Sequence, residues 1–389
     1  MQKLGIYIHI PFCLRKCPYC DFYSTASHDK ETRERFLSAL CKELENYGRQ
    51  YGKSRTVDTV FFGGGTPSIL EAEEVSCIMT KLAETFRIAE NAEISMECNP
   101  ATASAEKLVA YRAAGINRLS IGAQSFSDDV LRTLGRLHDA EDTRQTVHEA
   151  RMAGFENISL DLMFGIPSQT AEIWRDTVKE AMALNPQHIS FYSLEFMEGT
   201  PFWKMREDGT MAETEAEADR EMYGEALAIM AEGGYHQYEI SNAAFGPAGE
   251  NECRHNLKYW NLDDYLGFGP SAHSFIDNIR RSNPDKLEEY CTNVEAGKFG
   301  KEGSDFYTEN TFMDNVAEYM FTGLRKTTGI DKSAFREKFG KDIWQIYGED
   351  CRAEFTEYAG GGFAEETEEC LRLTLSGMNI SNRIMAIFV

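Results

Sequence analysis

The sequence predicts an α/β fold: a partial parallel (β/α)6 barrel of the TIM type, followed by a smaller and mostly helical C-terminal domain. Short apolar runs alternate with amphipathic helical patterns through the first half of the 389 residues. Such alternation is typical of a parallel sheet that is covered by helices. The Gly-rich and polar motifs also fall at the ends of the apolar runs, where barrel proteins carry their functional residues.

Strands and helices alternate in the predicted barrel. The predicted strands are 5–10, 57–62, 92–96, 117–121, 157–162 and 188–192. The helices predicted between them are 31–47, 71–86, 103–114, 140–153 and 170–184. Further helical patterns occupy 213–232, 311–324 and 332–338. We expect the barrel within residues 1–240, a connecting segment at 241–282 and the C-terminal domain at 283–389, because a chain of this length suits one large and one smaller domain.

The composition argues against several classes of partner and location. The formal net charge is −23 at pH 7, and so acidic a protein repels the phosphate backbone of nucleic acids. No apolar run approaches the length that spans a membrane, and the N-terminal run MQKLGIYIHI lacks the pattern of a signal peptide. Most of the ten cysteines are scattered singly, as is typical of reduced thiols. We therefore expect a cytoplasmic protein.

Three cysteines near the N-terminus form the most specific motif. Cys13, Cys17 and Cys20 have C-x3-C-x2-C spacing within the run HIPFCLRKCPYCDF. Three thiolates on one loop suit a [4Fe–4S] cluster in which one iron keeps an open position. Two alternatives are buried reduced cysteines and a zinc site. Pro11 and Pro18 favour a loop over a core strand, and structural zinc usually takes four ligands in two pairs, whereas no second C-x2-C pair is present.

A Gly-rich loop and several polar residues follow the later strands. The run FFGGGTPS at 61–68 would let a ligand approach the backbone closely. A phosphate-binding loop is the alternative, but no G-K-[ST] follows. Glu97, Gln124, Arg136 and Asp161 lie near strand ends. Each alone could be an ordinary polar residue. Together they could hold a zwitterionic ligand, with Arg136 on its carboxylate.

The motifs resemble those of the radical S-adenosylmethionine (SAM) superfamily. The strings HIPFC, FFGGGTPS, SIGAQSF, LGRLH, DLMFGIPSQT and YEISN resemble more narrowly the oxygen-independent coproporphyrinogen III oxidases and their relatives, over nearly the whole chain to residues 373–382. The resemblance implies a [4Fe–4S] cluster whose open iron chelates SAM, and a 5′-deoxyadenosyl radical released on reduction. The SAM contacts that it implies are Tyr7, Gly65, Thr66, Glu97, Gln124, Arg136 and Asp161.

Two departures favour one branch of that group. The oxidases carry a fourth cysteine two residues after the third, where this chain has Phe22. They also have a longer segment before the cluster than the twelve residues that precede Cys13 here. Both departures indicate the other branch, the HemW-type haem chaperones.

The segment CRHNLKYW at 253–260 agrees with that branch, because H-N-x-x-Y-W resembles its haem-binding motif. His255 is then the predicted ligand of haem iron, and Tyr259 and Trp260 are predicted to stack on the porphyrin. From the residues alone, a His255 that is hydrogen-bonded within a packed loop is an alternative. His273 in GFGPSAH is a competing iron ligand.

The sequence therefore predicts a radical SAM protein that binds haem b and delivers it to haem-requiring proteins. The main alternative is SAM-dependent oxidative decarboxylation of coproporphyrinogen III, and a third interpretation is a different radical SAM reaction on a tetrapyrrole. Expected partners are haem, haem-accepting apoproteins that include membrane-associated ones, and a reductant such as flavodoxin or ferredoxin.

Overall fold

A computed structural model describes residues 2–26 and 29–389 of the chain. The strands in these ranges are β1 (Gln2–Ile10), β2 (Arg55–Gly64), β3 (Arg87–Cys98), β4 (Arg118–Gln124), β5 (Asn157–Phe164), β6 (His188–Ser193), β7 (Tyr235–Glu239), β8 (Asn242–Phe245), β9 (Tyr265–Phe268), β10 (His273–Ile276), β11 (Ile279–Ser282), β12 (Phe306–Glu309), β13 (Ile330–Asp331), β14 (Ala364–Glu366) and β15 (Cys370–Leu373).

The helices in the same ranges are α1 (Lys30–Tyr51), α2 (Ala72–Thr85), α3 (Ala105–Ala113), α4 (Asp128–Thr133), α5 (Ala140–Met152), α6 (Ala171–Ala183), α7 (Pro201–Glu207), α8 (Ala216–Glu232), α9 (Arg254–Trp260), α10 (Leu287–Glu295), α11 (Phe312–Gly323), α12 (Lys332–Phe339), α13 (Ile343–Gly360), α14 (Leu375–Met378) and α15 (Ser381–Met385). None of the helices in the described ranges is both long and apolar enough to cross a membrane.

A mostly parallel sheet forms the centre of the molecule, as predicted. Its strand order is β12-β11-β10-β9-β1-β2-β3-β4-β5-β6-β8-β7. Strands β1 to β6 pair in sequence order, and every one of these pairs is parallel. Each predicted strand overlaps one of these six, and each helix predicted between them overlaps α1, α2, α3, α5 or α6. The predicted α/β class and parallel core are therefore confirmed.

The two faces of the parallel strands differ in polarity. In β4, Leu119 and Ile121 are buried on the side that the helices cover, and Arg118 and Ser120 alternate with them. The strands β3 and β5 follow the same rule, with Glu97 and Asp161 on the face away from the helices. Because side chains alternate with a period of two along a strand, these polar positions face the interior of the curved sheet. The apolar positions form the core beneath the helices.

The sheet is wider than the sequence predicted. Short strands extend it beyond β6 through the antiparallel hairpin β7–β8, and beyond β1 through β9 to β12. Only β9 continues the parallel pattern, through its pairing with β1. These strands have four or five residues each, too few to display a clear apolar alternation in the sequence.

The C-terminal helices α11 to α15 pack around a separate apolar core with a small antiparallel sheet of order β13-β15-β14. The segment before them belongs to the large sheet instead. Strand β12 pairs with β11, and Asn283 and Tyr290 donate hydrogen bonds to the buried Glu43 of α1 at 2.8 and 2.7 Å. The domain boundary at 283 stays a prediction, and this packing favours a division near Thr311.

Candidate functional site

The three-cysteine loop connects β1 to α1 at the carboxyl end of the first strand. Its ends are held together, because the backbone N–H of Cys13 donates to the Thr25 carbonyl at 3.0 Å and that of Thr25 donates to Pro11 at 2.7 Å. Within the loop, the N–H of Cys20 donates to the carbonyl of Cys17 at 3.1 Å. The three thiols are all reduced and half-buried. The loop is therefore fixed at its base while its thiols remain accessible.

The thiols interact electrostatically. Burial raises the pKa of Cys20 to about 11, and the neighbouring thiolates of Cys17 and Cys13 add to the rise. The hydroxyl of Thr66 lies 3.4 Å from Cys13 Sγ, and Arg136 Nη1 lies 3.8 Å from Cys17 Sγ. A bound cation would favour the thiolates, since metal ligation deprotonates thiols.

The spacing of the thiols bears on the kind of metal group that they could hold. In residues 2–26 and 29–389, no three His, Cys, Asp or Glu side chains converge closely enough to hold a single metal ion. A cluster does not need such convergence, because each cysteine binds a different iron. The thiol chemistry of the loop therefore fits a [4Fe–4S] cluster, which cysteine thiolates hold.

The Gly-rich loop lies directly against the cysteine loop. The N–H groups of Gly65 and Thr66 donate to the carbonyls of Ile10 and Phe12, both at 2.8 Å. A Cβ on Gly65 would lie 2.7 Å from the Phe12 carbonyl oxygen and 3.1 Å from Cys13 Sγ. Only glycine allows this approach without displacing backbone, so the contact between the two loops requires glycine at position 65.

A cavity of about 160 Å³ opens between these loops and the strand ends. The structure brings together here six of the seven predicted SAM-contacting residues with the three cysteines. These residues are Gly65, Thr66, Glu97, Gln124, Arg136 and Asp161. Because the carboxyl ends of parallel strands meet at one edge of a sheet, residues from β2 to β5 share this cavity, which we call the cluster cavity.

Two half-buried carboxylates give the cluster cavity its electrostatic character. Burial raises the pKa of Glu97 to about 8, and the charge of Asp161 adds to the rise. Burial also raises the pKa of Asp161, against hydrogen bonds that include one from Ser120 at 2.8 Å. Neither carboxylate has an ion pair within the described part of the chain. The two carboxylates, Glu97 and Asp161, therefore favour a ligand that brings a positive charge or hydrogen-bond donors.

Gln124 and Arg136 form the opposite wall. Gln124 has a φ of 62°, a left-handed conformation that few non-glycine residues adopt, and its side-chain oxygen accepts a hydrogen bond from the Tyr192 hydroxyl at 2.9 Å. Arg136 donates to the Gly122 carbonyl at 2.9 Å, and its buried Nε has no hydrogen-bond partner. This guanidinium thus retains donor capacity for a ligand carboxylate.

A second cavity of about 580 Å³ adjoins the first and extends into the interior of the curved sheet. We call it the inner cavity. Both cavities are lined by Cys20, Phe22, Glu97, Asp161 and Tyr192, among others. Phe22 is 63% exposed and belongs to the lining of both. The seventh predicted SAM residue, Tyr7, lines only the inner cavity, where its ring stacks on Phe61 with centroids 6.3 Å apart.

The predicted haem motif forms helix α9, and one face of it lines the inner cavity. His255 and Tyr259 are four residues apart and therefore share that face. His255 is 1% exposed. Its Nδ1 lies 2.9 Å from the Thr59 hydroxyl and its Nε2 lies 2.8 Å from the Tyr259 hydroxyl. Burial lowers the pKa of His255 to about 3.

These contacts bear on the residues that were predicted to bind haem. Neither ring nitrogen of His255 is free for iron, so the alternative interpretation, a hydrogen-bonded histidine, describes the observed arrangement. Trp260 does not line either cavity, since it follows Tyr259 by one residue and points to another side of α9. Its ring lies 4.5 Å from the Arg325 guanidinium. The competing ligand, His273, is exposed at the start of β10, and it lines neither cavity.

Several cavity residues were missed by the sequence prediction. Arg118, Ser190 and Cys253 line the inner cavity. A signal for the first two was present, because polar residues at every second position interrupt the apolar runs of β4 and β6. Cys253 begins the haem motif, and no pattern distinguished it from the other single cysteines.

Fold and site together define the class of protein. The radical SAM superfamily model matches residues 7–181, and the HemN C-terminal domain model matches residues 313–380. Members of that superfamily use a [4Fe–4S] cluster and SAM. The structure is similar to that of coproporphyrinogen III oxidase (HemN) from Escherichia coli, with a TM-score of 0.86 and 25% identity, covering 100% of this chain and 90% of the other.

The curated relatives specify the family further. The chain is 36% identical over 384 residues to the heme chaperone HemW of Bacillus subtilis (strain 168), covering 98% of both chains. It is 37% identical over 276 residues to the heme chaperone HemW of Escherichia coli (strain K12), covering 71% of both. The chain belongs to the HemW family of radical SAM proteins.

Proposed function

We propose that this chain is a haem chaperone: it binds haem in the inner cavity and delivers it to haem-requiring proteins in the cytoplasm or at a membrane. The observation that carries the proposal is the inner cavity itself. Its volume of about 580 Å³ lies within the range of sites for small molecules and cofactors. Tyr7, Phe61 and Tyr259 supply aromatic contact area for a planar ligand.

We further propose that Cys13, Cys17 and Cys20 hold a [4Fe–4S] cluster and that the residues of the cluster cavity hold SAM. Arg136 would pair with the SAM carboxylate, and Glu97 and Asp161 would accept hydrogen bonds from its hydroxyl or amino groups. Reduction of the bound group would supply a 5′-deoxyadenosyl radical. Phe22, at the position where the oxidases carry a fourth cysteine, covers the boundary between the two cavities and limits access of water to the cluster.

The iron ligand in the proposed haem complex requires rearrangement of the cavity wall. His255 could bind iron through Nε2 only by losing its hydrogen bond with the Tyr259 hydroxyl. Cys253 could bind iron only by losing its contact with the Glu93 carboxylate at 3.7 Å. Both residues line the inner cavity. A shift of α9 that frees one of them would therefore accompany haem binding. His255 stays the predicted ligand, and Cys253 is an additional candidate.

A reductant such as flavodoxin or ferredoxin would dock beside the cysteine loop. Leu14, Arg15 and Lys16 are exposed there. Two adjacent basic residues at the cluster, on a chain of net charge −23, provide local attraction for an acidic electron donor.

Haem binding and coproporphyrinogen turnover distinguish this proposal from the oxidase alternative. Anaerobically reconstituted protein with SAM should bind about one haem per chain in an optical titration, and should release no CO2 from coproporphyrinogen III. Phe61→Ala should weaken haem binding, because the Phe61 ring lines the inner cavity. Trp260→Ala is the matched control and should not. SAM-dependent CO2 release without saturable haem binding would contradict the chaperone function.

A further inference from the structure

Arg118 is a buried arginine that lacks the contacts expected of one. It lies at the start of β4, is 2% exposed and lines the inner cavity. Its backbone pairs with β3 and β5, but its side chain makes no hydrogen bond or ion pair with any residue in 2–26 and 29–389, and its Nε is fully buried without a partner. Buried polar groups are nearly always hydrogen-bonded, so this guanidinium calls for a partner that the chain itself does not supply.

The other buried arginines show the contrast. Arg55 pairs with Asp264 at 3.1 Å and also with Asp277. Arg281 donates to the Asn283 side chain at 3.1 Å. The half-buried Arg136 donates to a backbone carbonyl and approaches a cysteine sulfur. Each of these side chains is directed at an acceptor in the protein, whereas Arg118 is directed into a cavity.

The surroundings of Arg118 balance its charge without using its donors. Glu93 and Asp161 act on the guanidinium through space, but neither lies within hydrogen-bonding distance. The carboxylate of Glu93 is occupied by the backbone N–H groups of Arg254 and His255, both at 3.1 Å. Asp161 is occupied by Ser120. The N–H donors of the guanidinium are therefore not used by any acceptor in residues 2–26 and 29–389.

We propose that Arg118 is the carboxylate-binding residue of the inner cavity and that it holds one propionate-type carboxylate of the bound tetrapyrrole. This inference rests on the proposed function. A planar guanidinium binds a carboxylate through two parallel hydrogen bonds, with strength and directional specificity. Both groups would be shielded from water here, which strengthens the contact.

The position of Arg118 also sets the orientation of the ligand. Arg118 begins β4 and Gln124 ends it, a distance of about 20 Å along the strand at the usual rise per residue. A ligand bound to Arg118 would therefore have its carboxylate at the end of the cavity far from the cysteine loop. Its ring would lie in the aromatic part of the cavity, between Tyr7, Phe61 and Tyr259. Arg118 would distinguish tetrapyrroles that carry free carboxylates from their esters.

The test compares haem with haem dimethyl ester, in which both carboxylates are esterified, on reconstituted protein with SAM. The wild-type protein should bind haem at least about ten-fold more tightly than the diester, since charge-assisted hydrogen bonds of this kind are strong. Arg118→Gln should remove that preference by weakening haem and leaving the diester unchanged. Arg118→Lys should retain part of it, because an ammonium keeps the charge without the bidentate geometry.

Arg254→Gln is the matched control, because Arg254 lies on α9 beside the cavity, carries the same charge and does not line it. The Arg254→Gln variant should prefer haem over the diester to the same degree as the wild-type protein. An Arg118→Gln variant that binds haem with undiminished preference would overturn the inference and leave the chaperone function standing. If the wild-type protein binds neither compound, the proposed function fails and this inference fails with it. If Arg118→Gln does not fold, equal affinity of the wild-type protein for both compounds is sufficient to overturn the inference.

Discussion

Replacing Cys13, Cys17 and Cys20 together by alanine is expected to abolish cluster assembly completely. The wild-type protein, reconstituted anaerobically, should contain about four irons and four sulfides per chain, whereas the triple variant should contain none above background. The reason is that no cysteine then remains between β1 and α1, and the backbone contacts of Thr25 and Pro11 fix the base of the loop. Iron and sulfide analysis with the absorption spectrum measures the result.

The matched control replaces three other cysteines. Cys77, Cys351 and Cys370 are exposed or half-buried and line neither cavity. Their triple alanine variant should assemble the cluster as the wild type does. Normal iron content in the first variant, or loss of iron in the control variant, would show that the cluster lies elsewhere.

Glu97→Gln is expected to stabilise the SAM-free protein at alkaline pH while it weakens SAM binding. Burial and the charge of Asp161 raise the pKa of Glu97 from 4.5 to about 8. Between pH 4.5 and about 8, Glu97 is therefore protonated in the folded chain but ionised in the unfolded chain. The associated free energy of stabilisation is fully present below pH 4.5 and is lost as the pH rises through about 8. A shift of this size corresponds to roughly 3–5 kcal/mol.

Melting temperatures of the SAM-free protein at pH 6 and pH 8.5 measure this effect. The wild type should lose more stability than Glu97→Gln between the two values, because a neutral amide carries no charge to bury. Glu90→Gln, an exposed position on the same strand, should follow the wild type. Calorimetry should show weaker SAM binding for Glu97→Gln only. If Glu97→Gln is less stable than the wild type at pH 8.5, the folded protein must stabilise the negative charge of Glu97, which contradicts this prediction.

The parallel core and the cluster cavity could be predicted from the sequence because both depend on local patterns. The apolar runs of β1 to β6 are separated by helices, and the carboxyl ends of parallel strands necessarily meet. Residues as distant in the chain as Gly65 and Asp161 could therefore be placed in one cavity. The strands β7 to β12 escaped prediction, since four or five residues do not establish a period and their pairing depends on the existing edges of the sheet.

The inner cavity was less accessible to prediction, for two physical reasons. The direction of a side chain depends on helix phase, and the haem motif was not interpreted as a helix. A helix over α9 would have placed His255 and Tyr259 on one face and Trp260 on another. The polar alternation of β4 could have placed Arg118 on the cavity face, but the isolation of its guanidinium from partners is a property of the folded cavity that no spacing in the sequence reveals.

Transfer of haem to an acceptor tests the proposed chaperone function most directly. The reconstituted protein, loaded with one haem and SAM, is mixed anaerobically with the apo form of a b-type haem protein, and the spectrum of the acceptor is followed with time. We predict that the acceptor gains haem faster from the loaded chain than from the same concentration of free haem. Transfer no faster than from free haem, together with SAM-dependent conversion of coproporphyrinogen III, would contradict the proposal and indicate an oxidase.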